Sequence, residues 1–272
     1  MPTAVFNGVK LYYEEAGSGQ PIILVHGSWT DHHSWDLVAP SLAERFRVVT
    51  YDRRGHSQSE RPVGQGSLDE DVADLAALIR DLGLSPAHVI GNSRGASIVL
   101  RLAAERPALF RSLSVHEPPL FGLLEADPAA APLLNEYRGR IGAVLELLTA
   151  GNMEEGARYF MDTVALGPGA WDGQLPPEAK QTCINNAPTF LDEERDPEAG
   201  TLDLRALARF SRPALLTVGS ASPPLFPPVV ARVREAISGA RQHTFEGAGH
   251  VPHSTHPDHY VDIVTSFVQA VV

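Results

Sequence analysis

The stretch His88-Val89-Ile90-Gly91-Asn92-Ser93-Arg94-Gly95-Ala96-Ser97 holds three instructions in ten residues. The short apolar run reads as a strand, the G-x-S-x-G pentad as a tight turn, and the residues from Arg94 to Glu105 as a helix. A strand that turns this sharply into a helix needs small residues at the corner. The corner then lifts the Ser93 hydroxyl above the edge of the sheet. A bare pentad arises by chance; the strand-turn-helix setting gives it meaning, and it predicts Ser93 as a nucleophile on an α/β sheet.

Outward from this corner the same alternation continues. On the N-terminal side, Val5 to Val9 and Leu11 to Glu15 read as two strands around a turn at Gly8, and Ile22 to Val25 as a buried strand. Trp35 to Arg45 has helical spacing, Arg47 to Tyr51 is a β-branched run, and Leu68 to Leu82 is a helix with Ser67 as its N-cap. On the C-terminal side, Ser112 to Val115 is the next strand. Strand and helix in alternation imply right-handed crossovers and a parallel sheet.

From Pro118 to about Phe210 the rhythm breaks. Amphipathic stretches such as Ile141 to Leu148 and Met153 to Val164 stand between Pro- and Gly-containing turns, with no strand pattern. The rhythm resumes with the strand Ala214 to Val218, a helix around Val229 to Ile237, the strand Gln242 to Phe245 and a helix from Asp258 to Val268. The expected organisation is a core of residues 1–117 and 211–272 with a helical cap at 118–210.

The 272 residues are 43% hydrophobic and 20% charged, ordinary values for a chain that buries a substantial core. A formal net charge of −11 disfavours nucleic acid and anionic membranes, since no Lys/Arg run offsets the repulsion. The expected partner is a neutral or cationic small molecule, in a monomer or homodimer. The N-terminal residues lack the basic and apolar pattern of a signal peptide, and no run approaches about 18 apolar residues, so the expected location is cytoplasmic. Cys183 is the single cysteine, which excludes an internal disulfide and a thiolate metal cluster; it reads as structural.

A serine hydroxyl is a weak nucleophile near neutral pH and needs a base within hydrogen-bond reach. His250, in the Gly-rich loop Gly247-Ala248-Gly249-His250 after the last strand, falls where the carboxyl edge of the sheet gathers its loops. Acyl transfer also needs donors aimed at the developing oxyanion. The backbone N–H of Arg94 is one, and the loop His26-Gly27-Ser28 supplies the second from Ser28, with Trp29 as the alternative. His250, His253, His256 and His259 recur every third residue, but Pro252 and Pro257 interrupt any continuous helix, so no metal site and no cofactor is expected.

These motifs resemble the α/β-hydrolase superfamily: His26-Gly27, the run Asp52-Arg53-Arg54-Gly55-His56-Ser57, the elbow from Gly91 to Gly95, and Gly249-His250. The resemblance implies the α/β-hydrolase fold, a mostly parallel eight-stranded sheet with helices on both faces and a helical cap inserted after strand 6. The run from Asp52 to Ser57 reads as a structural turn. Trp29, Trp171 and Phe190 are candidates to line an apolar substrate pocket, with packing between cap and core as the alternative.

The superfamily's usual acid follows the strand after the cap. Here that segment is Gly219-Ser220-Ala221-Ser222-Pro223-Pro224, with no carboxylate between Asp203 and Glu235. Glu117, in Val115-His116-Glu117-Pro118-Pro119 at the end of the strand after the nucleophile helix, becomes the expected acid; Glu246 is the rival. The order Ser93, Glu117, His250 fits the superfamily. Fungal zearalenone lactonases are similar in this placement, with a His-Glu-x-Pro segment and a Gly-x-Ser-x-Gly-Ala-Ser elbow.

The expectation is a serine hydrolase cleaving a carboxylic ester or lactone of a largely apolar small molecule through an acyl-enzyme on Ser93. Two rivals stand: a cofactor-free ring-cleaving dioxygenase, and a hydrolase-like ligand receptor with little turnover.

Overall fold

A computed structural model describes residues 2–271. Eight strands form one sheet: β1 (Thr3–Phe6), β2 (Val9–Gly17), β3 (Pro21–Val25), β4 (Arg47–Tyr51), β5 (Ala87–Asn92), β6 (Phe110–His116), β7 (Ala214–Gly219) and β8 (Arg241–Phe245). Their order is β1-β2-β4-β3-β5-β6-β7-β8. The pairs β1·β2 and β2·β4 are antiparallel and the rest parallel. This is the eight-stranded, mostly parallel sheet expected from the α/β-hydrolase resemblance.

The helices are α1 (Ala39–Ala43), α2 (Leu68–Asp81), α3 (Arg94–Glu105), α4 (Ala131–Thr149), α5 (Met153–Phe160), α6 (Ala170–Gly173), α7 (Pro177–Glu193), α8 (Leu204–Leu207), α9 (Phe226–Ala236), α10 (Pro252–Thr255) and α11 (Pro257–Gln269). Ser67 caps α2 in a capping box with Glu70, an arrangement in which the cap residue alone is worth about 1 kcal/mol. The helical pattern over Trp35 to Arg45 resolves differently: a 3-10 turn at His32–Trp35, capped by Asp31, and then the short α1. Pro40 accounts for the break, because its ring tolerates only the first turn of a helix.

Side chains alternate across the pleat, so both faces of the sheet are buried. Ile23 and Val25 of β3 join Val89, Val115 and Leu216 on the face covered by α2, α3 and α9. Ile22 and Leu24 join Ile90, Leu215 and Phe245 on the face covered by α11 and Trp35.

Between β6 and β7 the chain runs through α4 to α8. The predicted helix from Met153 to Val164 is α5 followed by a π-helical turn, Met161–Ala165. One face of α7 carries Asn186, Thr189 and Glu193, spaced by three and four, and this face is stitched to the core. Asn186 accepts from the Ser57 N–H (2.8 Å) and donates to the Thr30 carbonyl (3.0 Å), while Thr189 donates to the Gly55 carbonyl (2.7 Å). No helix among the described residues is long and apolar enough to cross a membrane.

Candidate active site

Ser93 stands between β5 and α3 with φ 54° and ψ −125°, a strained region for a residue with a side chain. The turn closes only because Gly91 and Gly95 lack side chains. A Cβ on Gly95 would lie 2.2 Å from the Val25 carbonyl oxygen, and one on Gly91 would lie 2.5 Å from that of Gly95. The Ser93 N–H donates to the His116 carbonyl (2.9 Å), tying the elbow to the end of β6.

Glu117 follows β6 directly, with φ 48° and no exposed surface. Its Oε1 accepts the Gly219 N–H (2.8 Å), and its Oε2 lies 2.7 Å from His250 Nδ1. Burial pushes this carboxyl up, but His116 and His250 beside it outweigh burial and hold it well below the ordinary carboxylate range. His116 is a second imidazole on the same acid. Its Nδ1 lies 2.9 Å from Thr217 Oγ1 and its Nε2 lies 3.5 Å from Glu117 Oε1; burial keeps its pKa low. The sequence offered His116 only as part of the acid segment. Its pairing appears once β6 and β7 are in register, with His116 beside Thr217.

The His250 ring is fixed along an edge by Glu117 and across a face by Phe226, whose ring stacks on it at 4.4 Å and 19°. An Nδ1–H engaged with the carboxylate leaves Nε2 as the proton acceptor. Ser93 Oγ and His250 form no hydrogen bond in this structure; such contacts commonly tighten only when substrate binds. Glu246 and Glu235 are both exposed.

On the other side of Ser93, Gly27 passes so close that a Cβ there would meet Ser93 Cβ at 3.1 Å and Ser93 Oγ at 3.7 Å. Among the described residues, neither the Ser28 N–H nor the Arg94 N–H donates to a backbone carbonyl or a side chain. The Ser28 hydroxyl donates to Glu193 (2.5 Å). The Arg94 side chain is buried and turns away toward the start of α2, with Nη2 donating to the Gly66 carbonyl (3.2 Å) and Nε 3.9 Å from Asp71.

The run after β4 is a bracing turn. Asp52 accepts from the His32 N–H and lies 2.6 Å from His32 Nδ1, and the Ser57 hydroxyl donates to Asp31. Arg53 pairs with Asp71 and Glu193, and Arg54 with Asp74 and Glu70.

The three pocket candidates are buried, as the packing alternative has it. Trp29, with φ 70°, inserts its ring against Phe160 (5.0 Å) and Phe190 (4.7 Å). Trp171 is buried beneath Arg158 and Lys180. All three belong to one buried apolar cluster with residues of α4, α5 and α7. A small open cleft lies between α4, the π turn and the start of α9; Phe121, Tyr137, Val164, Leu225 and Phe226 are on its wall, together with Glu136 and Arg140. Phe226 thus faces both the cleft and the His250 ring.

Two groups bring three ligating side chains within 4.8 Å of one another: His116, Glu117 and His250, and Asp31, His32 and Asp52. In each, the carboxylates are already taken up by the imidazole and backbone contacts above, which is the pattern of an ion-pair network. The His250, His253, His256 and His259 repeat does not converge: His253 packs at a tilt against Trp35 (4.5 Å), whereas His259 packs against Phe245.

A sequence profile described as the alpha/beta hydrolase family matches residues 22–263. A protein of Synechocystis sp. that carries the provisional name non-heme chloroperoxidase is 27% identical over 273 residues, 96% of this chain and 95% of its own length. Among solved structures, an alpha/beta hydrolase from Sphaerobacter thermophilus superposes with a TM-score of 0.80 at 28% identity, covering 98% of this chain and 100% of that one. The enol-lactonase of Burkholderia xenovorans LB400 superposes at 0.78 with 21% identity, over 98% and 100%, and shares the fold.

Proposed function

The chain belongs to the alpha/beta hydrolase family, and from that premise we propose that it is a serine hydrolase cleaving a carboxylic ester or lactone of a largely apolar small molecule. The observation that carries this reading is the 2.7 Å contact between His250 Nδ1 and Glu117 Oε2, made beside a serine on a strained strand-to-helix turn.

In this mechanism Ser93 Oγ attacks the substrate carbonyl carbon as His250 Nε2 takes its proton. Glu117 keeps the ring in the Nδ1–H tautomer and stabilises the imidazolium. The carbonyl oxygen becomes an oxyanion held by the Ser28 and Arg94 N–H groups. The tetrahedral adduct then collapses, the C–O bond to the leaving alcohol breaks, and His250 Nε2–H protonates that oxygen. Water, deprotonated by the same imidazole, releases the acid and restores Ser93. The aromatic wall of the cleft favours an apolar substrate, and the net charge of −11 disfavours a polyanionic one.

The test is a panel of aryl and alkyl esters and lactones of increasing ring size, with Ser93→Ala alongside and oxygen uptake followed on a quinolone-like substrate. Ser93-dependent acid release without oxygen uptake is the expected result. Oxygen uptake would replace the reading with a cofactor-free dioxygenase. Binding without turnover would replace it with a ligand receptor.

A further inference from the structure

Glu193 closes α7, inside the segment between β6 and β7, yet its carboxylate reaches the loop over the nucleophile. One oxygen accepts the Ser28 hydroxyl at 2.5 Å and the other pairs with Arg53. Both Glu193 and Arg53 are buried, at 2% and 1% exposure. Arg53 in turn donates Nη1 to the Gly27 carbonyl (3.2 Å), pairs with Asp71, and gives its backbone N–H to His26 Nε2 (2.9 Å). The segment His26-Gly27-Ser28 is therefore held at three consecutive residues by Arg53 and Glu193: His26 by the Arg53 backbone N–H, and Gly27 and Ser28 by the two side chains of the buried ion pair, one from the core and one from the excursion.

Burial pushes the Glu193 carboxyl up, but the cations Arg53 and Arg94 bring it down to about 2, so the pair is ionised over the working range. An ion pair this deeply buried is a poor source of net stability, because desolvation consumes much of its attraction. It does impose a fixed geometry, since moving either partner costs a buried charge its nearest counter-ion, with only Asp71 left to Arg53.

We infer that Glu193 is a positioning residue of the catalytic machinery, through which the helical excursion sets the place of the Ser28 N–H relative to Ser93. This rests on the serine-hydrolase reading above. A donor contributes to an oxyanion hole only when it is aimed in advance. A misplacement of about 1 Å at a reacting centre can cost roughly 10²-fold in rate. The excursion and the oxyanion side of the site are on this account one mechanical unit.

The experiment uses the full chain and two variants, Ser28→Ala and Glu193→Gln. Ser28→Ala removes a hydroxyl from a partly exposed loop, leaves the backbone donor in place and strands no charge on Arg53, so it folds even if Glu193→Gln does not. Three readouts are taken: kcat and KM on an aryl ester, thermal midpoint, and backbone amide exchange over residues 26–31 by mass spectrometry. The expected result for Ser28→Ala is a thermal midpoint lowered by only a few degrees, faster exchange in that segment, and kcat down about tenfold with KM within about twofold, less than the roughly 10²-fold of deleting a donor outright. Unchanged exchange would overturn the inference whatever the turnover, and faster exchange with unaltered kcat would overturn it too. If exchange quickens but the wild type shows no Ser93-dependent turnover, the grip on the loop stands and the hydrolase reading fails.

Discussion

Two buried carboxylates flank Ser93, and they are placed in opposite ways. Glu117 directly follows a strand whose register is set by the sheet, with Asn92 of β5 beside His116 of β6, and one of its partners is a backbone N–H. Glu193 ends a helix outside the sheet, and its partners are the side chains of Ser28 and Arg53. The proposed base side of the site is thus built by backbone pairing. The proposed oxyanion side is built by side chains meeting across two layers. The first kind of placement follows from strand order; the second depends on how an inserted helix docks.

The sharpest way to break the comparison is on the base side. Glu117→Gln keeps the shape but lets the wrong tautomer of His250 form, and it should lower kcat by roughly 10⁴-fold while leaving KM nearly unchanged. A loss below tenfold would mean that the carboxylate is not orienting the imidazole.

The far interior of the excursion belongs to neither side. Trp171→Ala should cost about 3–5 kcal/mol of stability, the usual toll of emptying a buried aromatic site, and leave kcat of the folded fraction unchanged. Urea denaturation and active-site titration check this. A lowered kcat per folded site would place Trp171 in the chemistry after all.

Acid tests both carboxylates together. Each has a folded-state pKa below its unfolded value of about 4.3, so the unfolded chain takes up protons first as pH falls. Their stabilising contribution is full above that value and is lost as pH drops toward the depressed ones. Urea midpoints measured from pH 5 to pH 3 should fall more steeply for the wild type than for Glu117→Gln or Glu193→Gln. Parallel curves would contradict the assigned ionisation.

The smallest expected effect sharpens the base side. Phe226→Leu removes a ring stacked on His250, and aromatic pairs of this kind are worth about 0.5–1.5 kcal/mol. A decrease in kcat of up to about tenfold is expected, read as initial rates on one ester. No change would leave Glu117 alone in fixing the ring.

What the sequence made legible tracks the same division. The elbow was readable because Gly91 and Gly95 have no sterically acceptable replacement around Ser93, and His250 because a Gly-rich loop follows the last strand. Glu117 emerged because the segment after β7 offers no carboxylate, and the structure turns the backbone of that segment toward it through the Gly219 N–H. Phe226, His116 and Glu193 were not assigned roles. Phe226 and Glu193 lie on helices whose approach to the site is set by packing, and a buried Phe or Glu in a helix carries no local sign of what it touches. Trp29, Trp171 and Phe190 stayed open for the same reason: an aromatic residue suits a pocket wall and a packed interior equally well, and all three are buried in one apolar cluster.

The most direct test of the central claim is the rate and site of labelling by a fluorophosphonate, followed by intact mass and peptide mapping on wild type, Ser93→Ala and Glu117→Gln. The expected result is one phosphonyl group on Ser93 in the wild type, none on Ser93→Ala, and labelling slowed by orders of magnitude in Glu117→Gln. Labelling of another residue, no labelling of the wild type, or equal rates for wild type and Glu117→Gln would contradict it.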